Sequence, residues 1–281
     1  MRAVARCAID GGIPFPGEAI VALDTEAACS FNANGNGSIT ANGGGIFVNS
    51  DDDEAMCAVG NAEVLTDDTI AIVGGWDTSG GASISPAPST GVPPITDPMA
   101  ALQPPTQPGG SCNDYSLNAN NSDTIDPGFY CKIKISGQAE LTMKPGVYYI
   151  DSGDFDISGG GLLDAVGVTI YLASGDFSIT GNGDFTISAP TTGQYAGLML
   201  FMDQENGGDI KIAGNGTVAT TGTIYGPISD LDISGNGSGT VINSQIIVGT
   251  IDSNGNGDVN VYYDQNAAFQ GVLNVFMELS E

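Results

Sequence analysis

Carboxylates are the side chains of this sequence with the widest chemical capacity. Asp154, Asp156, Asp176 and Asp184 recur beside glycines in "GDFDISGGG" and "GDFSITGNGDF". Two carboxylates on one strand face can divide acid and base roles across a glycosidic bond, as polysaccharide-active enzymes do. Such enzymes also use Arg, Lys or His to hold an anionic sugar or take a proton. Here His is absent and both Arg lie within the first six residues. Solvated surface charge is the commoner role for such residues, so no catalytic residue is assigned.

"DSNGNGDVNVYYD" (252–264) opens like a calcium loop, D-x-N-x-N-G, with Asp252, Asn254, Asn256 and Asp258 as oxygen donors. Its twelfth position is Tyr263, where a bidentate Glu is required. Calcium is the candidate ion, and no other cofactor is implied. "SDDDEA" (50–55) is a second group of oxygens, whose default reading is a solvated acidic turn. The five cysteines, Cys7, Cys29, Cys57, Cys112 and Cys131, show no C-x-x-C spacing, and without His a zinc site has too few ligands. Structural disulfides fit them better and place the chain in an oxidising compartment, extracellular or at the cell surface.

The formal charge of −27, with six Lys plus Arg against 33 Asp plus Glu, excludes nucleic acid and anionic lipid as partners. Apolar residues still make up 41%, enough for a sizeable core. No run of about 18 or more apolar residues is present to span a membrane, and "MRAVARCAID" lacks the apolar stretch of a secretory signal.

All these groups hang on one repeated phrase. Gly-Asn-Gly occurs at Gly35-Asn36, Gly181-Asn182, Gly214-Asn215, Gly235-Asn236 and Gly255-Asn256. Gly60, Gly137 and Gly159 fit the same frame, with apolar residues four and two before and four after; Ser253 and Gly239 are the exceptions. Alternation at period two that keeps phase across a glycine signals two strands joined by a bend. Gly tolerates φ > 0, and Asn follows it in tolerance, so the pair turns a corner, where stacked Asn amides can bond in a ladder. From Gly35 to Gly60 and from Gly137 onward the corners lie 20 to 25 residues apart, save one interval of 33 that carries an insertion near 188–197. That period, with strands of about five residues and no helical pattern, predicts a single-domain parallel β-helix of about nine or ten coils. The strand-crossover rule makes it right-handed.

The solenoid is expected over 23–263, with 1–22 and 264–281 as capping or docking segments. "GVYYI" (146–150), "GVTIYL" (167–172) and "GLMLFM" (197–202) supply further strands between corners. Eight of the fourteen prolines fall between Trp76 and Cys112, so a Pro-rich excursion at about 77–112 leaves the coils and packs on their side. Corner positions pair Cys29 with Cys57, one coil apart, and Cys112 pairs with Cys131 to hold the Pro-rich arm's re-entry to the solenoid, leaving Cys7 over. Ile135, Ile157, Ile179, Ile212 and Ile233 form one buried column. At the C-terminus Leu273, Val275, Met277 and Leu279 alternate on one strand face. They are expected to dock on a neighbouring subunit in head-to-tail contacts that build a filament, with a self-made cap as the alternative.

Five phrases in order resemble the C-terminal part of TadG-type proteins of the tight-adherence (Tad) pilus machinery: "GEAIVALDTEAACSFNANGNGSITANGGGIFVNS" (17–50), "STGVPPITDPMAAL" (89–102), "PGFYCKIKISGQAELTMKPGVYYI" (127–150), "SAPTTGQYAGLMLF" (188–201) and "GTIYGP" (222–227). The resemblance spans about 240 residues. It implies a non-enzymatic structural protein of the envelope or cell surface, with pilus or envelope components as partners. A surface adhesin or carbohydrate-binding solenoid is the alternative, although the ranks of Thr that would bind a regular lattice are not evident.

Overall fold

The computed structural model describes residues 4–10, 17–235, 240–243, 245–269, 271 and 274–280. Among these residues every regular element is a β-strand, and nearly all stack in parallel into a β-solenoid with three faces. A representative coil runs through Phe155–Gly159, Leu162–Val166 and Val168–Leu172, which define the first, second and third faces. The second face is one ten-stranded sheet. The first and third faces merge into a seventeen-stranded sheet, because Gly128–Ile135, Thr223–Gly235 and Ile246–Gly255 run from third to first without a break.

Glycine makes the first corner. Gly35, Gly181, Gly214 and Gly255 have φ between +121° and +138°, and an added Cβ at Gly35, Gly181 or Gly214 would run into the glycine carbonyl of the coil beneath. That carbonyl is already in use: it accepts the next corner's amide, as from Asn36 N to Gly255 O (2.9 Å) and from Asn182 N to Gly159 O (2.8 Å). The inward residues then fall in register. Ile135, Ile157, Ile179, Ile212 and Ile233 stack in one buried column, and the rings of Phe155 and Phe177 lie parallel at 5.1 Å beside it.

The coils do not stack in chain order. From the lowest level the first corners run Ala119, Gly137, Gly159, Gly181, Gly214, Gly235, Gly255, and then Gly35, Gly60 and Gly80. The N-terminal coils therefore sit on the C-terminal one. The coil of Ile251–Gly255 and Val259–Tyr262 has no third strand of its own, and Glu18–Ala22 fills that place, with Ile20 between Ile246 and Ile46. This corrects the expected boundaries: residues 18–22 belong to the solenoid rather than to a terminal cap.

The Pro-rich excursion also begins later than expected. Trp76–Gly80, Ser83–Ser85 and Ser89–Thr90 complete the uppermost coil, with Pro86 and Pro88 between strands, where no ladder donor is needed. Residues 91–112 then descend the third face to the lowest coil. Thr240 stands opposite Val259, one residue further from Gly235 than Val259 is from Gly255; Gly239 lies outside the described residues.

The descending arm explains why third-face strands read as unbroken apolar runs. Val168–Leu172 and Leu198–Met202 are buried at every position, inward against the core and outward against the arm. Outward-pointing Tyr149, Tyr171, Phe201 and Tyr225 form a ladder with successive ring centroids 4.8 to 5.5 Å apart, and Met99 and Leu102 of the arm join their cluster. Burial of so many large side chains, at roughly 25 cal/mol per Å² of apolar surface, makes this a second core outside the coils.

Candidate functional site

On the first face every outward position meets its equivalent one level away, so polar side chains bond along the stack. At the corner, Asn36 Nδ2 donates to Asn256 Oδ1 (2.6 Å) and Asn61 Nδ2 donates to Asn36 Oδ1 (2.8 Å). This is the expected amide ladder, and it crosses the seam between the two ends of the chain. Asn182 and Asn215 occupy the same column; Asn236 lies outside the described residues.

The carboxylates are spread along two such columns. Asp154 Oδ1 accepts from Asp176 N (3.0 Å), Asp176 Oδ1 accepts from Asp209 N (2.9 Å), and Asp230 Oδ1 accepts from Thr250 Oγ1 (2.6 Å). Burial, then repulsion from Asp176 and Asp230, holds the Asp209 carboxyl above its usual range. In the adjacent column Lys134 bonds Asp156 (2.7 Å) and Lys211 bonds Asp232 (3.2 Å). Asp184 starts a strand of the second face, so the four carboxylates considered as an acid–base set do not share one face. Asp209 and Asp230 were missed in the sequence, although an Asp five residues before a corner glycine was the readable signal.

The calcium candidates do not converge on one point. Asp252 Oδ1 accepts from Asn32 Nδ2 (2.7 Å), Asp258 Oδ1 accepts from Ser38 N and Oγ (3.1 and 2.8 Å), and Asn256 joins the ladder. Asn254 stacks between Ser234 and Asn34. Strand geometry sends these oxygens to the next coil instead of bending them round an ion. Among the described residues no group of three or more His, Cys, Asp or Glu is gathered for a metal. "SDDDEA" forms the turn before the first-face strand Met56–Gly60, with Asp52 Oδ1 accepting from Glu54 N (2.8 Å).

The arm is fastened at level after level. Asn49, buried, accepts from Ile95 N (2.8 Å) and donates to Ile95 O (3.1 Å). Tyr225 Oη donates to Asp97 (2.6 Å), Gln204 Nε2 to Ala100 O (3.1 Å), Tyr195 Oη to Gln103 O (3.1 Å) and Gln107 Nε2 to Asp151 (2.9 Å). Burial first and the Asp97 carboxylate second push the Tyr225 hydroxyl far above its usual range, so it stays a donor. The disulfide Cys112–Cys131 closes the arm onto the lowest coil, and Cys29–Cys57 joins two coils above the seam. Both pairings are the expected ones.

The chain ends meet each other. Strand Val4–Asp10 pairs antiparallel with Asn274–Ser280, so Val275, Met277 and Leu279 stand opposite Ile9, Cys7 and Ala5 of the same chain; Leu273 lies outside the described residues. Among the described residues no helix is long and apolar enough to cross a membrane. No protein-family model, curated protein or solved structure matches this chain.

Proposed function

We infer that the protein is a non-enzymatic structural element of the extracellular space or cell surface, built as a discrete rod and similar in role to Tad pilus-assembly components. The carrying observation is the closed course of the chain: the arm joins the two extremities of the stack, a disulfide locks it to the lowest coil, and the terminal strands pair with each other. Such bracing suits an oxidising, unprotected environment. Outward polar residues are engaged with neighbouring coils, which favours a scaffold over a reaction centre. Val4–Asp10 and Asn274–Ser280 pair within one chain, which favours a discrete rod over a filament assembled through those strands.

Intact cells of the native source, treated with a membrane-impermeant amine-reactive label, test the location. Labelling of the protein without lysis is expected. Labelling only after lysis overturns the reading.

A further inference from the structure

The molecule demonstrates that coils stack without chain continuity, since Ile251–Gly255 and Val259–Tyr262 carry Phe31–Gly35 and Ser38–Asn42 directly above them. The uppermost coil, at 76–90, and the lowest, at 113–130, end the described stack with open parallel edges. Unpaired edges of this kind invite another chain. A head-to-tail contact would continue every column of the rod and would not close.

The lowest coil carries two features that no internal coil shares. Each internal corner is Gly, and a Cβ there would face the level below: from Gly80 it would lie 2.6 Å from Gly60 O, from Gly60 2.7 Å from Gly35 O, and from Gly137 3.0 Å from Ala119 O. Ala119 ends this column. Its φ of +59° lies in the same left-handed region as Gly137 (+78°), Gly60 (+82°) and Gly80 (+77°), so its methyl takes the direction those hypothetical Cβ atoms take. It is exposed, with only the open edge beyond it. An alanine in this conformation is strained, and here it stands at the level where glycine is not required by a coil beneath.

The second feature is a charge on the core axis. Asp123 stands in the inward column below Leu141, Leu163 and Phe185, where an apolar residue would otherwise be. It is exposed and accepts a hydrogen bond from Tyr115 Oη (2.9 Å). An inward-pointing charge at an edge opposes pairing, because a further coil would bury it.

We propose that the lowest coil is a built-in stop that refuses a second copy of this chain. In a head-to-tail contact the Ala119 methyl would strike Gly80 O of the next molecule, and Asp123 would be buried against that molecule's Ile84. The proposal rests on the reading of the protein as a discrete rod, and its test is independent of where the protein resides.

The test compares the full chain with the Ala119→Gly/Asp123→Leu variant by sedimentation velocity and negative-stain microscopy. The wild type sediments as one monomeric species. The variant forms species of two or more monomer masses at the same concentration, seen as rods whose lengths are multiples of one molecule. A variant with β-sheet circular dichroism and both disulfides intact that stays monomeric overturns the proposal, as does a wild type that itself forms such rods. Should the double variant not fold, Ala119→Gly/Asp123→Asn decides: it relieves the left-handed alanine and removes the charge without adding an apolar side chain, concentration-dependent association supports the stop, and a folded variant that stays monomeric overturns it. Failure of surface labelling would overturn the proposed function and leave this result standing.

Discussion

The second and third faces share one backbone and one interior, yet their sequences read differently. Leu162–Val166 alternates exposed and buried, whereas the next strand, Val168–Leu172, is buried throughout. Only the outer neighbour differs: water on one side, the arm on the other. Hydrophobic period thus reports how many sides of a strand are covered, and the strand itself is the same object in both cases. The comparison also locates the stability of the molecule, part in columns common to all faces and part in a cover confined to one.

Substitutions can break that comparison or sharpen it. The largest effect is expected in the shared interior: Ile179→Asp buries an unpaired charge between Ile157 and Ile212 and should cost about 4 kcal/mol or more, read by denaturant unfolding. An unchanged midpoint would show that the interior is not common to the faces. Next comes the arm's lower tie. Replacing Cys112 and Cys131 by Ser opens a loop with a sequence separation of 19 and should cost about 3 kcal/mol, with faster proteolysis of 91–112 before global unfolding. Asp97→Ala, which strands the buried Tyr225 hydroxyl, should cost about 2 kcal/mol and leave second-face amides as protected from hydrogen exchange as before. Loss of protection on both faces together would mean that cover and coils unfold as one unit.

A pH experiment bears on the third face alone. At its seam strand, burial and then the nearby Asp68 raise the Glu18 carboxyl to about 7, and Glu18 Oε2 is buried without a hydrogen-bond partner. The folded-state value lies above the unfolded one, so protonation favours the fold. Stability gained through Glu18 appears as pH falls from about 7 towards the ordinary carboxyl value of 4.5 and is absent above about 7. Glu18→Gln should therefore stabilise the protein at pH 8 and change it little at pH 4.5, a difference measured by thermal melts of both proteins at each pH. The smallest effect belongs to the open face: Thr186→Ala, on an exposed outward position, should stay within about 0.5 kcal/mol of wild type.

Much of the fold was legible because its determinants are local. A corner that needs φ > 0 demands Gly, so Gly35, Gly181, Gly214 and Gly255 announced their own geometry; Cys29–Cys57 followed from distance to corners and Cys112–Cys131 from its place beyond the Pro-rich arm. The order of the coils was not legible, for a physical reason. Parallel stacking places like on like, so the columns at Gly255 accept Gly35 as readily as they would accept a following coil. Repetition specifies what a neighbour must look like and leaves open which neighbour it is. The arm's fastenings were equally hidden: Asn49, Asp97 and Gln204 act on residues far away in sequence, and no repeat marks them. As to the candidate site, the oxygen donors at 252–258 were legible but their direction was not, because strand pleat decides where each side chain points.

The pairing of the two chain ends carries a mechanical consequence. Val4 stands opposite Ser280 and Asp10 opposite Asn274, so the outermost ends of both strands lie side by side. Tension applied through Val4 and Ser280 loads one backbone pair at a time, like a zip, instead of sharing the load across all seven pairs in shear. Past Asp10 and Asn274 the pull first meets the rod at Gly17, whose amide donates to Tyr263 Oη (3.2 Å), and at the buried Phe269, whose amide donates to Thr223 Oγ1 (2.9 Å), both part-way along the stack rather than at its extremities. A molecule held by both ends would therefore yield first at this ribbon, at low force, with the disulfide-braced rod intact behind it.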